Sequence, residues 1–227
     1  MKFFRSDSVP VSSEHHRYTL RGILKGQHGA VACIAAHPLG TFVASGGEAG
    51  TKIWHLPTEK MIPGPTGASD RGTTTAMVWL TRPDDEEEGL AYGTEHGFLC
   101  IWKRKKDGEE ASQRDMNYDI AIDETHQFTE IYCDRLASGE SATEVSAMAY
   151  DVNSGQLAIV HRAEAVHQFL IDVGMIPRVI KSVTIVKHWP QAVAFGQVGV
   201  HGPELWSFGR EDGVMRVSTK SKQNVHE

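Results

Sequence analysis

Short apolar runs separated by turns rich in glycine and proline are the main pattern of this chain. The first three runs, Val31–Ala36, Phe42–Ser45 and Thr51–Trp54, are divided by turns at residues 37–40 and 46–50. Runs of this length bounded by such turns are typical of a three-stranded antiparallel meander. One meander cannot bury both faces of its sheet, so the pattern predicts that the unit is repeated.

The unit returns further along the chain. Residues 90–102 read LAYGTEHGFLCIW and residues 42–54 read FVASGGEAGTKIW, with matching turn glycines and a matching Ile-Trp pair at the end. Less exact copies occupy residues 156–169 and 206–218. The turn glycines of the first two copies give a period in the forties, which is typical of repeat architectures built from one small unit.

Other runs complete these units or lie outside them. Inner strands are predicted at residues 74–80, 145–150 and 192–195, and outer strands at residues 18–24, 59–62, 128–136 and 178–186. The polar residues 1–17 and 219–227 are predicted to be a flexible lead and tail, and residues 107–127 a polar insertion. The predicted strand at residues 18–24 comes before the first unit, and it is expected to pair with the last unit as the outermost strand of that sheet.

The repeat as a whole resembles the WD-repeat β-propeller family. The resemblance rests on the period, on a tryptophan that closes the third strand, and on the opening Gly26-Gln27-His28, a Gly-His pair with one residue inserted. It covers residues 18–218. It implies an all-β fold, a propeller with about four blades, each of which is a four-stranded antiparallel sheet.

The family's structural network adds expectations about single residues. In that family a turn aspartate, the opening histidine, a strand serine or threonine and the tryptophan are joined by hydrogen bonds. The resemblance implies structural roles for the matching residues and for the turn glycines: His28, Ser45, Gly50, Trp54, Gly97, Trp102, Asp212 and Gly213. Because Ala49 stands at the aspartate position of the first unit and Ser218 at the tryptophan position of the fourth, we expect less rigid edges than in a typical member.

The number of blades leaves three arrangements open. Seven units, the usual number in that family, need roughly 280–315 residues, whereas this chain has 227. The chain is a piece of a larger propeller, an open arc or a closed four-bladed ring, and we favour the arc or the piece. An open arc leaves an apolar blade face unpaired, which predicts self-association through that edge.

Composition and charge narrow the class of partner. The net charge is −6, from 23 basic and 29 acidic residues, which disfavours nucleic acid and anionic membranes as partners. The chain starts without the apolar stretch of a signal peptide, and no run approaches the roughly 18 apolar residues of a membrane span. We therefore expect a cytoplasmic or nuclear protein.

Candidate chemistry is sparse. Cys33 and Cys100 fall inside predicted strands, so we expect buried reduced thiols rather than a disulfide or a metal site. The twelve histidines lack ligand spacing with cysteine or carboxylate partners, and there is no Gly-x-Ser-x-Gly turn. The glycine-rich turn at residues 46–50 opens a strand rather than a helix and so lacks the donors of a phosphate cradle. We expect no cofactor, no metal and no catalysis.

Sparse candidate chemistry leaves recognition by exposed loops as the expected function, and the resemblance implies a scaffold that binds other proteins. The turns before strand one and between strands two and three are expected to share one face, and we expect that face to bind a partner. Its predicted members are Gln27, Glu48, Glu95, His96, Arg210 and Glu211. Two charge runs, residues 84–88 and 103–106, are interpreted as solvated hairpin tips, with a charged docking edge as the alternative. The alternative function is a propeller enzyme, a hydrolase or isomerase acting on a small molecule at a central channel.

Overall fold

A computed structural model of the chain describes most of the predicted repeat region. It describes residues 22–64, 71–82, 87–105, 126–136, 143–162, 165–184, 190–197, 203–209 and 215–218. The predicted lead (1–17), tail (219–227) and most of the insertion (107–127) lie outside these ranges. So do four predicted site residues: Arg210, Glu211, Asp212 and Gly213.

The described residues form four antiparallel sheets. Sheet 1 contains β1 (Val31–Ala36), β2 (Phe42–Gly47), β3 (Gly50–His55) and β4 (Lys60–Ile62). Sheet 2 contains β5 (Thr74–Thr81), β6 (Glu88–Thr94), β7 (Phe98–Arg104) and β8 (Phe128–Arg135). Sheet 3 contains β9 (Val145–Asp151), β10 (Gln156–His161), β11 (Ala165–Ile171) and β12 (Pro177–Thr184). Sheet 4 contains β13 (Pro190–Gln197), β14 (Pro203–Gly209) and β15 (Met215–Ser218).

Each sheet is a meander in which neighbours in sequence are neighbours in space. The first strands of the four sheets, β1, β5, β9 and β13, pack side by side in chain order. This confirms the predicted all-β fold: the described sheets form a partial, open β-propeller with about four blades. The described residues include a 3₁₀ helix, Val173–Met175, and within those ranges there is no helix of the length and hydropathy that crossing a membrane requires.

The turn between the second and third strands repeats with the same backbone geometry in sheets 1 and 2. Gly50 and Gly97 have φ angles of 74° and 76°, in the left-handed region. A type I turn followed by a left-handed residue is a common way to close a short hairpin, and glycine adopts that conformation without a steric penalty. The two turn glycines therefore set the period because the hairpin requires them.

The core lies between successive sheets. Between sheets 1 and 2 it contains Phe42, Ile53 and Trp79, and between sheets 2 and 3 it contains Leu80 and Ile101 with neighbours from β10 and β11. Trp54 and Trp102 are only 3% and 2% exposed. Alternate residues of each strand face opposite neighbours, so both faces of the central sheets are apolar.

The arc is open at sheet 1. Residues of β1 that face away from sheet 2 are exposed, and Ile34 is 69% exposed. The described strands of sheets 1 and 4 do not pack against each other as neighbouring sheets do.

One predicted strand is wrong where the structure describes it. Residues 22–30 contain no strand, although residues 18–24 were expected to form the outer strand of the last sheet; residues 18–21 lie outside the description. The segment instead lies against sheet 1, where the carbonyl oxygen of Lys25 accepts a hydrogen bond from Trp54 Nε1 (3.3 Å).

Candidate protein-interaction surface

The opening turn of sheet 1 is held against the turn between β2 and β3 by Gln27. The Gln27 amide donates to the carbonyl oxygen of Gly50 (3.2 Å) and accepts from the Ser45 hydroxyl (3.1 Å). Ser45 is buried and Gln27 half-buried, so both bonds are shielded from water. Two separate turns of the sheet therefore share one face and behave as one surface.

Gln27 holds the place that the resemblance implied for His28. His28 is exposed, and it is Gln27 that contacts the strand serine. The inserted residue in Gly26-Gln27-His28 shifts the register of the opening by one position, which turns the imidazole outward. Because the amide nitrogen and oxygen of Gln27 are hydrogen-bonded to Gly50 and Ser45, Gln27 supports this surface rather than projecting from it.

The matching turns of sheet 2 are joined by Glu95. Glu95 Oε1 accepts a hydrogen bond from the backbone N–H of Thr73 (2.7 Å), and this bond lowers the pKa of the Glu95 carboxyl. A side chain at Gly72 would bring its Cβ within 2.7 Å of both Glu95 and His96, so the opening turn approaches the second turn as closely as glycine allows. Glu95 and His96 themselves are exposed.

The third sheet repeats the arrangement with different residues. The Thr143 hydroxyl lies 3.0 Å from His161 Nδ1, and Arg162 pairs with Glu144 at 2.7 Å. His161 is fully buried, so it is a structural contact between the opening segment and β10. Sequence reasoning missed this set because the third unit has no turn glycine or tryptophan to align.

Hydrogen bonds also tie the sheets to each other at this edge. The Thr51 and Thr74 hydroxyls are 3.1 Å apart, across sheets 1 and 2. The Thr75 hydroxyl donates to the carbonyl oxygen of Val145 (2.7 Å), across sheets 2 and 3. The tips of Glu48, Glu95 and His96 are exposed above this network, and we call these three residues the turn surface. The remaining predicted members, Arg210 and Glu211, lie outside the described residues.

Residues 87–88 and 103–104 of the two charge runs are paired with each other at the opposite edge of sheet 2. Lys103 forms an ion pair with Glu87, and Arg104 forms one with Glu88. Glu87 is 7% exposed and its other oxygen accepts from the backbone N–H of Gly174 (3.0 Å). The interpretation of these runs as solvated tips is therefore wrong for residues 87–88 and 103–104, which stabilise the contacts of sheet 2 with its neighbours.

His37 joins this group from sheet 1. Its Nε2 lies 2.8 Å from a carboxylate oxygen of Glu88, and its ring meets Trp79 edge-on with centroids 5.0 Å apart. Burial lowers the pKa of the His37 imidazole, and the Glu88 carboxylate offsets part of that effect. His37 is therefore neutral near pH 7 and becomes costly to keep buried in acid.

A second polar cluster, which is half-buried, joins Arg71, just before β5, to sheet 2. The Arg71 guanidinium forms a two-pronged ion pair with Glu130, with one arm at 2.8 Å, and donates to the Tyr92 hydroxyl (3.2 Å). The hydrogen bonds to Glu130 raise the pKa of Arg71, and burial raises that of Tyr92. Glu130 also accepts from Trp102 Nε1 (3.4 Å), so the closing tryptophan is tied to the outer strand.

The cysteines of sheet 2 correct the prediction of reduced thiols. Cys100 and Cys133 face each other across β7 and β8 and form a disulfide. Neighbouring strands bring residues 33 positions apart into direct opposition, which spacing alone does not reveal. Cys33 is a free thiol, and burial raises its pKa to about 11, so it stays protonated.

Three potential metal ligands meet at this disulfide. Single donor atoms of Cys100, Glu130 and Cys133 lie within 4.8 Å of one another. Both sulfurs are bonded to each other and Glu130 is paired with the Arg71 guanidinium. A cation at this position would compete with a fixed positive charge, so the donor set does not suit a metal ion.

Comparison with known proteins gives a partial match. No protein-family model matches the chain. Ribosome biogenesis protein ERB1 of Phaeosphaeria nodorum and ribosome biogenesis protein erb1 of Pyrenophora tritici-repentis are each 36% identical over 84 residues. The match covers 37% of this chain and spans 10% of the length of either relative. Over that stretch, the chain is similar to part of two fungal proteins named for ribosome biogenesis.

Proposed function

We propose that this chain is a protein-interaction scaffold of the WD-repeat class, without catalysis of its own, that acts in an assembly for ribosome biogenesis. The observation that carries the proposal is the turn surface: exposed polar side chains on turns that are fixed by hydrogen bonds within and between sheets. A surface that is ordered before binding loses less conformational entropy when a partner docks. The names of the two relatives support the assembly, and the nucleus is the location that they favour.

The polar groups that are at least half-buried support a scaffold more than an enzyme. In the described part of the chain the strongest clusters pair charge with charge, as Arg71 does with Glu130 and Lys103 does with Glu87. Groups that are matched in this way hold sheets together. Catalytic groups, by contrast, need a proton or lone pair directed at a substrate.

The turn surface is tested by affinity purification followed by mass spectrometry of the proteins that co-purify. A triple variant, Glu48→Ala, Glu95→Gln and His96→Ala, removes the exposed tips, and glutamine at position 95 retains an acceptor for Thr73. We expect the co-purifying proteins to be lost while the far-UV circular dichroism spectrum is unchanged.

The matched control lies at the opposite edge. Asn153→Ala changes an exposed residue in the turn between β9 and β10, which faces away from the turn surface because successive turns of a meander lie at opposite edges. Binding should survive this change. Binding that survives the triple variant, or that is lost equally in both variants, would exclude the turn surface.

The proposed assembly is tested separately by sedimentation. In lysate fractions from a sucrose gradient, the wild-type chain should migrate with precursor ribosomal particles and the triple variant should shift to the top of the gradient. Wild-type protein found solely at the top of the gradient would refute the role in ribosome biogenesis. The binding role of the turn surface would still be tested by the affinity purification.

A further inference from the structure

Equivalent positions in the four inner strands can be identified from their pairing. Each inner strand pairs with its second strand through a register irregularity near its start. Counting from that point, two positions recur in the later sheets: Met77 and Trp79 in β5, Met148 and Tyr150 in β9, and Val193 and Phe195 in β13. The corresponding residues of β1 are Ile34 and Ala36.

In sheets 2, 3 and 4 these positions pack on the preceding sheet. Trp79 stacks on Phe42 with ring centroids 6.0 Å apart, and its Nε1 donates to the carbonyl oxygen of Ala35 (3.0 Å). The Tyr150 hydroxyl donates to the carbonyl oxygen of Thr81 in sheet 2 (3.1 Å). Val193 and Phe195 pack against the core of sheet 3. The same contact is therefore made three times.

In sheet 1 the same positions have nothing in front of them among the described residues. Ile34 is 69% exposed and Ala36 is also exposed. The other face of β1, which carries Cys33 and Ala35, packs on sheet 2. The exposed face of β1 is thus equivalent to the face that packs on the preceding sheet in sheets 2, 3 and 4.

The two ends of the arc differ from the internal contacts in a complementary way. At the contact between sheets 3 and 4, the aromatic Phe195 of the inner strand packs against a cluster that contains Ala158 and Val160 of the second strand of sheet 3. At the open end of sheet 1 the aromatic is replaced by Ala36. In sheet 4, Trp206 and Phe208 hold the register positions that Ala158 and Val160 hold in sheet 3. Two large residues of sheet 4 thus stand where sheet 3 has smaller ones, and the small Ala36 of sheet 1 stands where sheet 4 has an aromatic.

We propose that the open face of sheet 1, centred on Ile34 and Ala36, binds the fourth sheet of a second copy of this chain. The contact is head-to-tail, so it forms twice and closes two arcs into a ring of eight sheets. Head-to-tail contacts close into rings when the rotation allows, and propellers contain about 4–8 blades. The proposal continues the sheet-to-sheet contact that the chain already uses and does not depend on the proposed function.

The oligomeric state tests the proposal directly. Light scattering coupled to size-exclusion chromatography of the full chain should give the mass of two copies. Ile34→Glu places a charge on the open face and should reduce the mass to one copy. Leu39→Glu is the matched control, because Leu39 is 83% exposed in the turn after β1 and off the open face; it should leave the pair intact.

A mixing experiment separates the head-to-tail contact from a face-to-face one. Phe208→Glu alone should also give single copies. Mixing Phe208→Glu with Ile34→Glu should restore pairs, because one of the two contacts in the mixed pair is then wild type on both sides. A wild-type chain of one-copy mass overturns the proposal, as does a pair that survives Ile34→Glu. Pairs lost in Ile34→Glu but kept in Phe208→Glu would show two first sheets meeting, which also overturns it.

Discussion

At the scale of single residues, the two turn glycines have the same backbone but different surroundings. At Gly50 a side chain would meet no atom within 4 Å. At Gly97 the added Cβ would lie 2.8 Å from the carbonyl oxygen of Thr143 and 2.9 Å from His161 Nε2. Gly50→Ala therefore isolates the cost of a left-handed φ, and Gly97→Ala adds a steric clash with buried groups.

We expect Gly50→Ala to lower the free energy of unfolding by about 1–2 kcal/mol and Gly97→Ala to lower it by about 1–3 kcal/mol more. Urea titration of both variants beside the wild type measures the difference. Equal losses would show that the clash at Gly97 is relieved by movement of the opening segment of sheet 3.

His37 predicts how stability depends on pH. Burial lowers its pKa below the usual 6.5, so in acid the unfolded chain binds a proton that the folded chain resists. Stability from this group is complete above about pH 6.5 and is lost as the pH falls toward the folded-state value. Thermal unfolding of wild type and His37→Gln between pH 7.5 and 5 should show the difference between them shrink in acid.

His28→Gln is the control for this experiment, because His28 is exposed. Its melting temperature should follow that of the wild type over the same pH range. A constant offset between His37→Gln and the wild type would mean that the pKa of His37 is the same in the folded and the unfolded chain, and an offset that grows in acid would mean that the imidazole is protonated in the fold.

Residue roles could be predicted where they depend on local geometry. The turn glycines are set by one hairpin, so their spacing is visible in the sequence. Gln27 in place of His28 was missed because a one-residue insertion changes which side chain points inward without changing the composition. The pair of Arg71 with Glu130 joins residues 59 positions apart and depends on how four strands align, which no local pattern encodes.

At the scale of strands and sheets, apolar runs between turns predicted the strands well. The predicted β1, residues 31–36, has the observed bounds, and most other strands differ by one or two residues at an end. Residues 22–24 failed as a strand because an outer strand needs a partner from a distant sheet. Their alternation alone does not reveal whether that partner is present.

The closing tryptophans contribute to their strands through burial. Each removes roughly 150–250 Å² from water, and each indole also donates one hydrogen bond, from Trp54 to Lys25 and from Trp102 to Glu130. We expect Trp54→Ala and Trp102→Ala each to cost about 3–5 kcal/mol of unfolding free energy. Chemical denaturation measures the loss.

Phenylalanine at the same positions is the graded control. It keeps most of the apolar area and loses the hydrogen bond, so it should cost less than alanine at either site. An unchanged melting temperature in an alanine variant would contradict the burial of that indole.

At the scale of the whole molecule, the fold is a row of sheets in which each contacts its neighbours. The period predicted the unit and its repetition, but the sequence left the arc, the larger propeller and the closed ring open. Closure depends on whether the first and last sheets meet, and this is a property of the summed rotation between sheets. The open face of β1, with Ile34 69% exposed, disfavours the closed ring.

In a row of this kind, stability is approximately a sum of contributions from single sheets and from contacts between neighbouring sheets. A substitution at one contact is therefore expected to destabilise only the two sheets that form it. Trp79 lies between sheets 1 and 2, whereas Tyr150 lies between sheets 2 and 3. Trp79→Ala should therefore speed amide hydrogen exchange in β1–β8 and leave β11 and β12 unchanged.

Tyr150→Ala is the matched variant at the next contact, and it should speed exchange in β5–β12 while the strands β2–β4 keep their protection. Mass spectrometry of peptides from the exchanged chain resolves these sheets. Uniform loss of protection in both variants would show that the described sheets unfold as one cooperative unit, and nearest-neighbour stacking would then be the wrong description of the molecule. Loss confined to the two flanking sheets in each case would show that each contact is an independent source of stability, as the repeated packing of Trp79 and Tyr150 implies.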